Sequence, residues 1–553
     1  MNDTRGFLGR ERLFYGPWQA FERALARYLV HIGWEHVALI GGSGDNGGDI
    51  IASNGTKEVV YQVKFRSNGG AVGKEIVEDI KRAMAFYEIK FGCLVTNGYL
   101  SKGALDYLFT LKNLGYRIQV IEGKDLIEKF KSLTDNPAIQ SDVREYQAVA
   151  IDSINKSFER GARSCLIVLA TGLGKTFVAG KFLSLIYKKY SDIKVLVLAN
   201  KSDLIKQFDR AIWGHLPKSV STHIWDESEK PVYTDGVTLA TFQSVYNHLK
   251  GDKEVPFYNI VIIDECHHAG AETYNFVINE LNPDFLLGLT ATPFRTDNKE
   301  IRDIFGQPQF TMDIIQGMRH GYLAKVDYRI FSDNIDWNFV TSYSKKSLTI
   351  KSLNKQLFLP QRDEEIVSVL KEVWIKEHTN RAILFCSGIE HCKQIEKILL
   401  GYGLKARGLY SGMDPWKRER YLREFRQGKI KILVSVDILN EGIDVPEVDL
   451  VVFLRVTHSR IIFLQQLGRG LRLSNKKNKV IVLDFVTDIK RVASLFNLNK
   501  KNQEYKEQGI EIVTLNNFNV SFSDRTSESF FESIIKDKFE IEDYDEAREL
   551  FLP

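Results

Sequence analysis

The stretch between Ser164 and Tyr190 constrains the fold more than any other part of the chain, because a glycine turn joins an apolar run to an amphipathic pattern. The run Cys165–Leu169 predicts a buried strand, and the residues from Lys175 onward predict a helix. Such a unit exposes the first N–H groups and the positive dipole end of the helix, which together bind phosphate. The sequence therefore predicts a phosphate-binding loop formed by Thr171, Gly172, Leu173, Gly174, Lys175 and Thr176.

The residues of this loop suit a nucleoside triphosphate with its metal ion. Gly172 and Gly174 would let the backbone bend around the phosphates. Lys175 would reach the β- and γ-phosphates, and the Thr176 hydroxyl would hold Mg²⁺. Leu169 replaces the first glycine of the general pattern G-x-x-x-x-G-K-[ST], so a glycine-rich turn without a nucleotide stays the alternative for this motif taken alone.

Size and composition narrow the class of protein. The 553 residues allow about three or four domains, and 44% hydrophobic and 26% charged residues are typical of a soluble globular protein. A net charge of +4 neither demands nor excludes a polyanionic partner. The five cysteines form no C-x-x-C pair, so we expect neither a disulfide framework nor a zinc knuckle. Without a signal peptide or a long uncharged apolar run, the chain is expected to be cytoplasmic, with no membrane contact.

A second candidate site lies in the first 135 residues. Asp49 ends a glycine-rich segment, and the strand-like run at 58–65 carries Gln62 and Lys64 two positions apart, so both side chains point to one face. An aspartate with a nearby oxygen ligand can hold Mg²⁺, and a lysine beside them can orient water or stabilise charge on phosphorus. The pattern suits phosphodiester hydrolysis; a solvated hairpin surface is the alternative for this spacing in isolation.

Local patterns delimit this N-terminal region. An amphipathic helix is predicted at 18–32, where Glu22 lies beside an apolar stripe formed by Phe21, Leu25, Tyr28, Leu29 and Ile32. The polar stretch at 134–142 contains Asn136-Pro137 and breaks the periodicity, which predicts a linker.

An acidic pair follows another buried strand downstream of the phosphate loop. Asn259–Ile263 predicts that strand, and Asp264 and Glu265 follow at its carboxyl end, where ligands bind in open α/β sheets. Asp264 would bind Mg²⁺ through water, and Glu265 would polarise the water that attacks the γ-phosphate. A metal site at His267 and His268 is the disfavoured alternative, because adjacent residues diverge on leaving a strand.

Further patterns before and after the acidic pair also predict a parallel α/β domain that binds a nucleotide. Gln147 in REYQ offers an amide donor and acceptor together, which suits the edge of adenine. The runs at 195–208 and 237–245 each pass from a β-branched strand into a polar turn, as in a parallel sheet. Thr290 and Thr292 in GLTATPFR could relay the state of the acidic pair to a bound strand.

A second α/β set is predicted from about Ala324, after the loop-like stretch FGQPQFTMD. Its candidate site residues are Gly442, Asp444, Gln465, Arg469 and Arg472. The last three are spaced by four and three positions, so they can share one helix face. Neighbouring arginines need an anionic partner, and a γ-phosphate across a cleft would be one. A surface salt-bridge helix is the alternative.

In this order, the motifs ATGLGKT, DECHH, TATPFR, SVDILNEGIDVP and QQLGRGLR resemble those of a superfamily 2 helicase, over about 350 residues. The resemblance implies two RecA-like domains that bind ATP between them and grip one nucleic-acid strand.

The N-terminal stretches FERALARYLVHIGW, GDNGGDII, VYQVKF, CLVTNGYLSKGA and VIEGKDL resemble the Mrr-type restriction endonuclease domain. In that family the D…QxK residues bind metal and cut DNA, and a glutamate of the first helix assists. By motif position these are Asp49, Gln62, Lys64 and Glu22. Val63 departs from the small residue or cysteine common at the middle position. A degenerate nuclease fold kept for DNA binding is the alternative.

Together these observations predict an α/β protein: an endonuclease-like domain, two RecA-like parallel-sheet domains and a small, mainly helical C-terminal segment. The expected boundaries are 1–135, a linker at 136–142, 143–324, 325–490 and 491–553. The expected function is an ATP- and Mg²⁺-dependent DNA helicase or translocase fused to a DNA endonuclease, for restriction or anti-phage defence. The C-terminal segment is a candidate docking element for a partner subunit. The alternatives are a repair or recombination helicase whose N-terminal domain only binds DNA, and an RNA-remodelling helicase.

Overall fold

The computed structural model describes most of the chain up to residue 330 and shorter parts beyond it. The described residues are 6–41, 46–55, 57–138, 142–251, 254–266, 272–291, 299–330, 347–349, 363–436, 448–454, 479–485, 513–516 and 549–551. Three sheets of five, seven and seven strands organise them. None of the helices in these ranges is long and apolar enough to span a membrane.

The N-terminal domain is built on a mixed five-stranded sheet of order β1-β2-β3-β5-β7. The first three strands of this order pair antiparallel and the last three parallel. Its strands, with the small β4–β6 pair, are β1 (His36–Leu39), β2 (Ile50–Ser53), β3 (Glu58–Lys64), β4 (Ala71–Val72), β5 (Phe91–Thr96), β6 (Tyr99–Leu100) and β7 (Arg117–Ile121). Its helices are α1 (Arg10–Tyr15), α2 (Trp18–His31), α3 (Glu75–Phe86), α4 (Lys102–Asn113) and α5 (Gly123–Ser132).

Successive side chains along each strand point to opposite faces of this sheet, and both faces carry apolar residues that helices cover. Helices α1, α2 and α5 pack on one face and α3 and α4 on the other. The predicted stripe of α2 is buried except at Ile32, where the prediction is wrong. Ile32 follows the last helical residue as the C-cap and is 40% exposed.

The first lobe is a parallel seven-stranded sheet of order β10-β11-β9-β12-β13-β8-β14, with its helices. Its strands are β8 (Ser164–Leu169), β9 (Val195–Ala199), β10 (Thr222–Trp225), β11 (Val237–Thr241), β12 (Ile260–Asp264), β13 (Phe285–Thr290) and β14 (Phe310–Met312). Its helices are α6 (Glu145–Glu159), α7 (Lys175–Lys189), α8 (Ser202–Ile212), α9 (Phe242–Lys250), α10 (Glu272–Leu281), α11 (Lys299–Phe305) and α12 (Ile314–Arg319).

The apolar runs of the first lobe are strands because helices cover the sheet on both sides. Helices α6, α7 and α8 pack on one face, and α9, α10 and α11 on the other. The prediction of a loop in FGQPQFTMD is wrong. It contains β14, which pairs with β8 and adds an edge strand to the sheet.

The second lobe is a further parallel sheet, of order β18-β19-β17-β20-β21-β15-β22, with its helices. Its strands are β15 (Lys325–Ile330), β17 (Ala382–Cys386), β18 (Ala406–Leu409), β19 (Ile432–Ser435), β20 (Leu450–Leu454), β21 (Lys479–Asp484) and β22 (Val513–Asn516). Its helices are α13 (Asp363–Lys376), α14 (Ile389–Gly401) and α15 (Pro415–Gln427).

The C-terminal segment contributes strands in the part that the structure describes. β22 extends the sheet of the second lobe, and β16 (Ser347–Thr349) pairs antiparallel with β23 (Glu549–Phe551). Of the segment 491–553 the structure describes only β22 and β23, so its predicted, mainly helical character stays a prediction.

The predicted linker is tied to both of its neighbours. The Ala138 amide donates to the His31 carbonyl at the end of α2, while the Lys218 amide of the first lobe donates to the Asp135 carbonyl. Backbone hydrogen bonds at both sides hold this segment between the N-terminal domain and the first lobe.

Candidate active sites

The phosphate loop follows β8 and ends where α7 begins. Gly172 and Gly174 have φ angles of 92° and 88°, in the left-handed region that favours glycine. A Cβ atom at Gly174 would also lie 2.9 Å from Nε2 of Gln147. Lys175 and Thr176 then open the helix, so the predicted turn and helix start are both present.

Helix α6 supports this loop from the side. The Tyr146 hydroxyl donates to the Leu173 carbonyl over 2.7 Å, and Nε2 of Gln147 donates to the same carbonyl over 3.0 Å. Oε1 of Gln147 accepts from the Arg144 amide. Both ends of the Gln147 amide are thus engaged with the protein, and its contact with adenine stays a prediction.

The acidic pair lies beside the phosphate loop. β12 carries Asp264 at its carboxyl end, and β13 separates β12 from β8 in the sheet. Nζ of Lys175 lies 2.9 Å from Oε1 of Glu265, and both side chains are largely shielded from solvent. The Glu265 backbone has a φ of 51°, and its amide donates to Oδ1 of Asp264. The cation that would bind phosphate and the carboxylate that would activate water are therefore in contact.

Of the two predicted threonines, Thr290 lies at the end of β13 and is buried. The predicted site residues that lie outside the described residues are Thr292, the two histidines after Cys266, Gly442, Asp444, Gln465, Arg469 and Arg472.

The second candidate site is assembled where β2 and β3 begin to pair. The register joins Ile50 to Tyr61, and the Asp49 amide just before β2 donates to the Tyr61 carbonyl, which holds Asp49 beside the end of β3 that carries Gln62. Oδ2 of Asp49 accepts a 2.5 Å hydrogen bond from the Val63 amide. Asp49 and Gln62 are only 7% and 6% exposed, and half-buried Lys64 follows on the same face at the end of β3.

Helix α2 brings Glu22 to the same place. A Cβ atom on Gly41 would lie 3.4 Å from Oδ1 of Asp49 and 3.5 Å from Oε2 of Glu22. Two carboxylates from different elements therefore approach one small volume. Gln62 and Lys64 lie on the adjoining strand β3, and their part in the site stays a prediction.

Three family models match the chain in succession. They are the restriction endonuclease family of the Mrr catalytic type at 16–130, the res subunit of type III restriction enzymes at 140–295, and the helicase conserved C-terminal domain at 364–474. The chain joins an Mrr-type restriction endonuclease domain to a superfamily 2 helicase core. The first match covers the N-terminal domain, and the other two cover the helicase core formed by the two lobes.

Individual relatives match about two thirds of the chain. The chain is 26% identical over 372 residues to irc3 of Schizosaccharomyces pombe, which carries the name of a mitochondrial ATP-dependent helicase; the match covers 64% of this chain and 58% of irc3. It is 25% identical to the endonuclease subunit of the type I restriction enzyme EcoAI of Escherichia coli, over 64% of this chain and 46% of the subunit. The chain thus spans about half the length of these relatives.

A solved structure shares the fold of nearly the whole chain. The ATP-dependent type ISP restriction-modification enzyme LlaBIII, solved bound to DNA, superposes with a TM-score of 0.52 at 17% identity. The match covers 95% of this chain and 42% of that enzyme. The order of a mixed-sheet domain followed by two parallel-sheet lobes therefore recurs in a larger enzyme.

The donor atoms of the nuclease domain fit a hard divalent cation. Glu22 and Asp49 supply carboxylate oxygens, and buried Oε1 of Gln62 has no hydrogen-bond partner among the described residues. Oxygen ligands of this kind suit Mg²⁺, which keeps several water ligands. In the described ranges no three acidic, histidine or cysteine side chains converge on one point, so water would complete the coordination.

Sequence reasoning missed two supporting residues. Tyr146, the neighbour of Gln147 in REYQ, has no role predicted from the sequence, yet its hydroxyl donates to the Leu173 carbonyl of the phosphate loop. Gly41 leaves the space between the two carboxylates of the nuclease domain. The position of Tyr146 next to Gln147 could have indicated its role. No sequence pattern indicates the role of Gly41, because that role depends on Glu22 of α2 and on Asp49 before β2.

Proposed function

We propose that this chain is an ATP-dependent DNA translocase or helicase whose N-terminal domain is a Mg²⁺-dependent DNA endonuclease. The observation that carries the proposal is that one chain holds two separate candidate sites: the Lys175–Glu265 ion pair in the helicase core, and in the nuclease domain the buried Asp49 carboxylate bonded to β3, the strand that also carries Gln62 and Lys64. The first suits phosphoryl transfer from ATP and the second suits phosphodiester hydrolysis.

In the motor, the N-terminus of α7 and Lys175 would bind the phosphates of ATP. Thr176 and Asp264 would hold Mg²⁺, which when bound offsets the charge of the phosphates. Glu265 would accept a proton from the attacking water. Arg469 and Arg472 of the second lobe would complete the site from across the cleft, and Gly442, Asp444 and Gln465 would line it.

In the nuclease domain, Asp49 and Gln62 would hold Mg²⁺, with Glu22 assisting from α2. The metal, when bound, polarises the scissile phosphate and its water. Lys64 would orient the attacking water and stabilise the charge that develops on the phosphate oxygens. The hydrogen bond from the Val63 amide fixes the Asp49 carboxylate for this task.

Restriction of foreign or modified DNA in the cytoplasm is the biological role that we propose. The names of the EcoAI subunit and of LlaBIII support it, since both belong to restriction enzymes. Cells carrying the chain should plate phage or accept plasmid less efficiently than cells carrying Asp49→Ala. Equal efficiencies would remove the defence role while leaving the enzymatic proposal standing. A partner subunit docking on 491–553 is part of this proposal.

Plasmid digestion tests the enzymatic proposal. Purified chain is incubated with supercoiled plasmid and Mg²⁺, with and without ATP, beside Lys64→Ala and Lys175→Ala. We expect nicking that Lys64→Ala loses, and DNA-stimulated ATP turnover that Lys175→Ala loses. Nicking by Lys64→Ala at the wild-type rate would assign the cutting to another site or to a contaminant.

A second candidate function is a repair motor whose N-terminal domain only binds DNA. The observation in its favour is the small number of charged ligands, since two carboxylates converge in the described part of that domain. Absence of nicking with Mg²⁺, Mn²⁺ or Ca²⁺ on modified and unmodified plasmid, together with retained DNA-stimulated ATP turnover, would favour this function.

A further inference from the structure

The nuclease domain is anchored to the first lobe through buried polar contacts of α2. Arg27 is 1% exposed and donates to the carbonyls of Pro217 and Val220 over 2.9 and 2.6 Å. Arg23, one turn earlier, forms a bidentate ion pair with Glu229. Buried carbonyls that lose such a donor are costly to leave unpaired. The nuclease domain and the first lobe are therefore expected to move together.

The nuclease domain also contacts the second lobe, through ion-pair and ring contacts made by α15. Nη1 of Arg423 lies 2.9 Å from Oε1 of Glu58, the first residue of β3. The Trp416 ring meets the Phe86 ring edge-on, with centroids 5.0 Å apart. The Arg423 guanidinium also lies 5.9 Å from the ring centre of Tyr87.

These contact points lead directly to the nuclease site. The Tyr87 ring packs against Gly48, where a Cβ atom would lie 3.2 Å from it. Gly48 precedes Asp49, and Glu58 begins the strand that carries Gln62. The second lobe therefore contacts β3 directly at Glu58, and it reaches the segment before Asp49 through Phe86 and Tyr87.

We propose that α15 of the second lobe is a positioning element of the nuclease site. Arg423 acts through Glu58 and β3, and Trp416 acts through Phe86, Tyr87 and the turn before Asp49. Neither residue reaches the reacting atoms. This inference rests on the proposed function for its consequence, which is that a shift of the second lobe relative to the first changes the rate of DNA cleavage.

Charge reversal in the full-length chain tests the inference. Arg423→Glu and Glu58→Arg should each lower the Mg²⁺-dependent nicking rate about 10-fold, as loss of outer-shell support does, with the KM for plasmid and the ATP turnover unchanged. The double variant that exchanges the two charges should recover most of the rate. Arg426→Glu is the matched control, because Arg426 lies on the same helix and faces Glu419 of that helix.

Hydrogen exchange gives a readout that does not need cleavage. The Val63 amide donates to Asp49, so faster exchange in the peptide 59–65 reports a loosened site. We expect it in Arg423→Glu, not in Arg426→Glu, with recovery in the exchanged pair. A nonhydrolysable ATP analogue should alter this exchange in the wild type and leave it unchanged in Arg423→Glu.

The outcomes separate the two ideas. If the wild type never nicks DNA but exchange follows this pattern, the nuclease proposal fails and the positioning role stands. If the wild type nicks and Arg423→Glu matches it in both rate and exchange, the positioning role fails alone. Loss of nicking in Arg423→Glu without recovery in the double variant also overturns it, since the ion pair is then not the cause.

Discussion

The two candidate active sites differ in how the chain assembles them. The ATP site takes its phosphate-binding residues from one continuous loop and its acids from the end of a strand in the same parallel sheet. The nuclease site takes Glu22 from a helix, Asp49 from a turn and Gln62 from a strand. A continuous loop keeps its geometry through local backbone conformation, whereas an assembled site depends on register and on packing from several sides. The two sites should therefore fail separately and respond differently to distant changes.

Glu265→Gln should have the largest effect, and that effect should be confined to the ATP site. The amide cannot accept the proton of the attacking water, so ATP turnover with DNA should drop about 10²- to 10⁴-fold. Nucleotide affinity should remain within a few-fold, and ATP-independent nicking should be unchanged. Steady-state ATPase assays and titration with a fluorescent nucleotide measure these quantities. Glu280→Gln on the exposed side of α10 is the control. Full turnover in Glu265→Gln would remove this residue from the chemistry.

Lys64→Ala should produce the reciprocal result. Loss of a cation beside the scissile phosphate should lower nicking about 100-fold or more, while DNA-stimulated ATP turnover stays within about twofold. Lys57→Ala is the matched control, because Lys57 is exposed just before the same strand. Parallel loss of both activities in Lys64→Ala would mean that the sites are not independent and that the comparison above is wrong.

The same difference decides how much could be predicted from the sequence. The strands ending at Leu169 and Asp264 and the helix starting at Lys175 follow from apolar runs and a glycine turn, and the structure confirms them. These signals lie within a few neighbouring residues. The short strand β14 was missed because three residues of mixed polarity form a strand only when β8 offers an edge.

Long-range hydrogen bonds could not be predicted. The Gln147 amide points to Leu173, 26 residues away, and that pairing depends on how α6 packs against the loop. The hydrogen bond from the Val63 amide to Asp49 depends on how β2 and β3 pair. The motif resemblance identified these residues as a group, whereas the distances between them needed the folded chain.

Gly174→Ala should sharpen the claim that local backbone geometry holds the ATP site. The alanine would adopt a left-handed conformation, at a cost of about 1–2 kcal/mol, and its Cβ would press on Gln147. ATP affinity should fall about 10-fold, with nicking in the absence of ATP unaffected. Gly161→Ala is the control, since Gly161 has a φ of 69° and open space around it. It should lower stability alone, as thermal unfolding would show, and an equal loss of ATP affinity there would assign the effect to strain rather than to the site.

Gln147→Ala should have the smallest effect, because the Tyr146 hydroxyl still donates to the Leu173 carbonyl. Gln147→Ala also removes the acceptor of the Arg144 amide, but only the bond to Leu173 touches the phosphate loop. Loss of that one bond is worth about 0.5–1.5 kcal/mol, so the KM for ATP should rise about 2- to 10-fold with little change in kcat. Comparing ATP with GTP separates two roles for this residue. A purely supporting Gln147 would weaken both nucleotides equally, whereas contact with the adenine edge would reduce the preference for ATP. Ser153→Ala removes a hydroxyl that donates to the Val149 carbonyl within α6. This control should change neither the KM for ATP nor the preference for ATP over GTP.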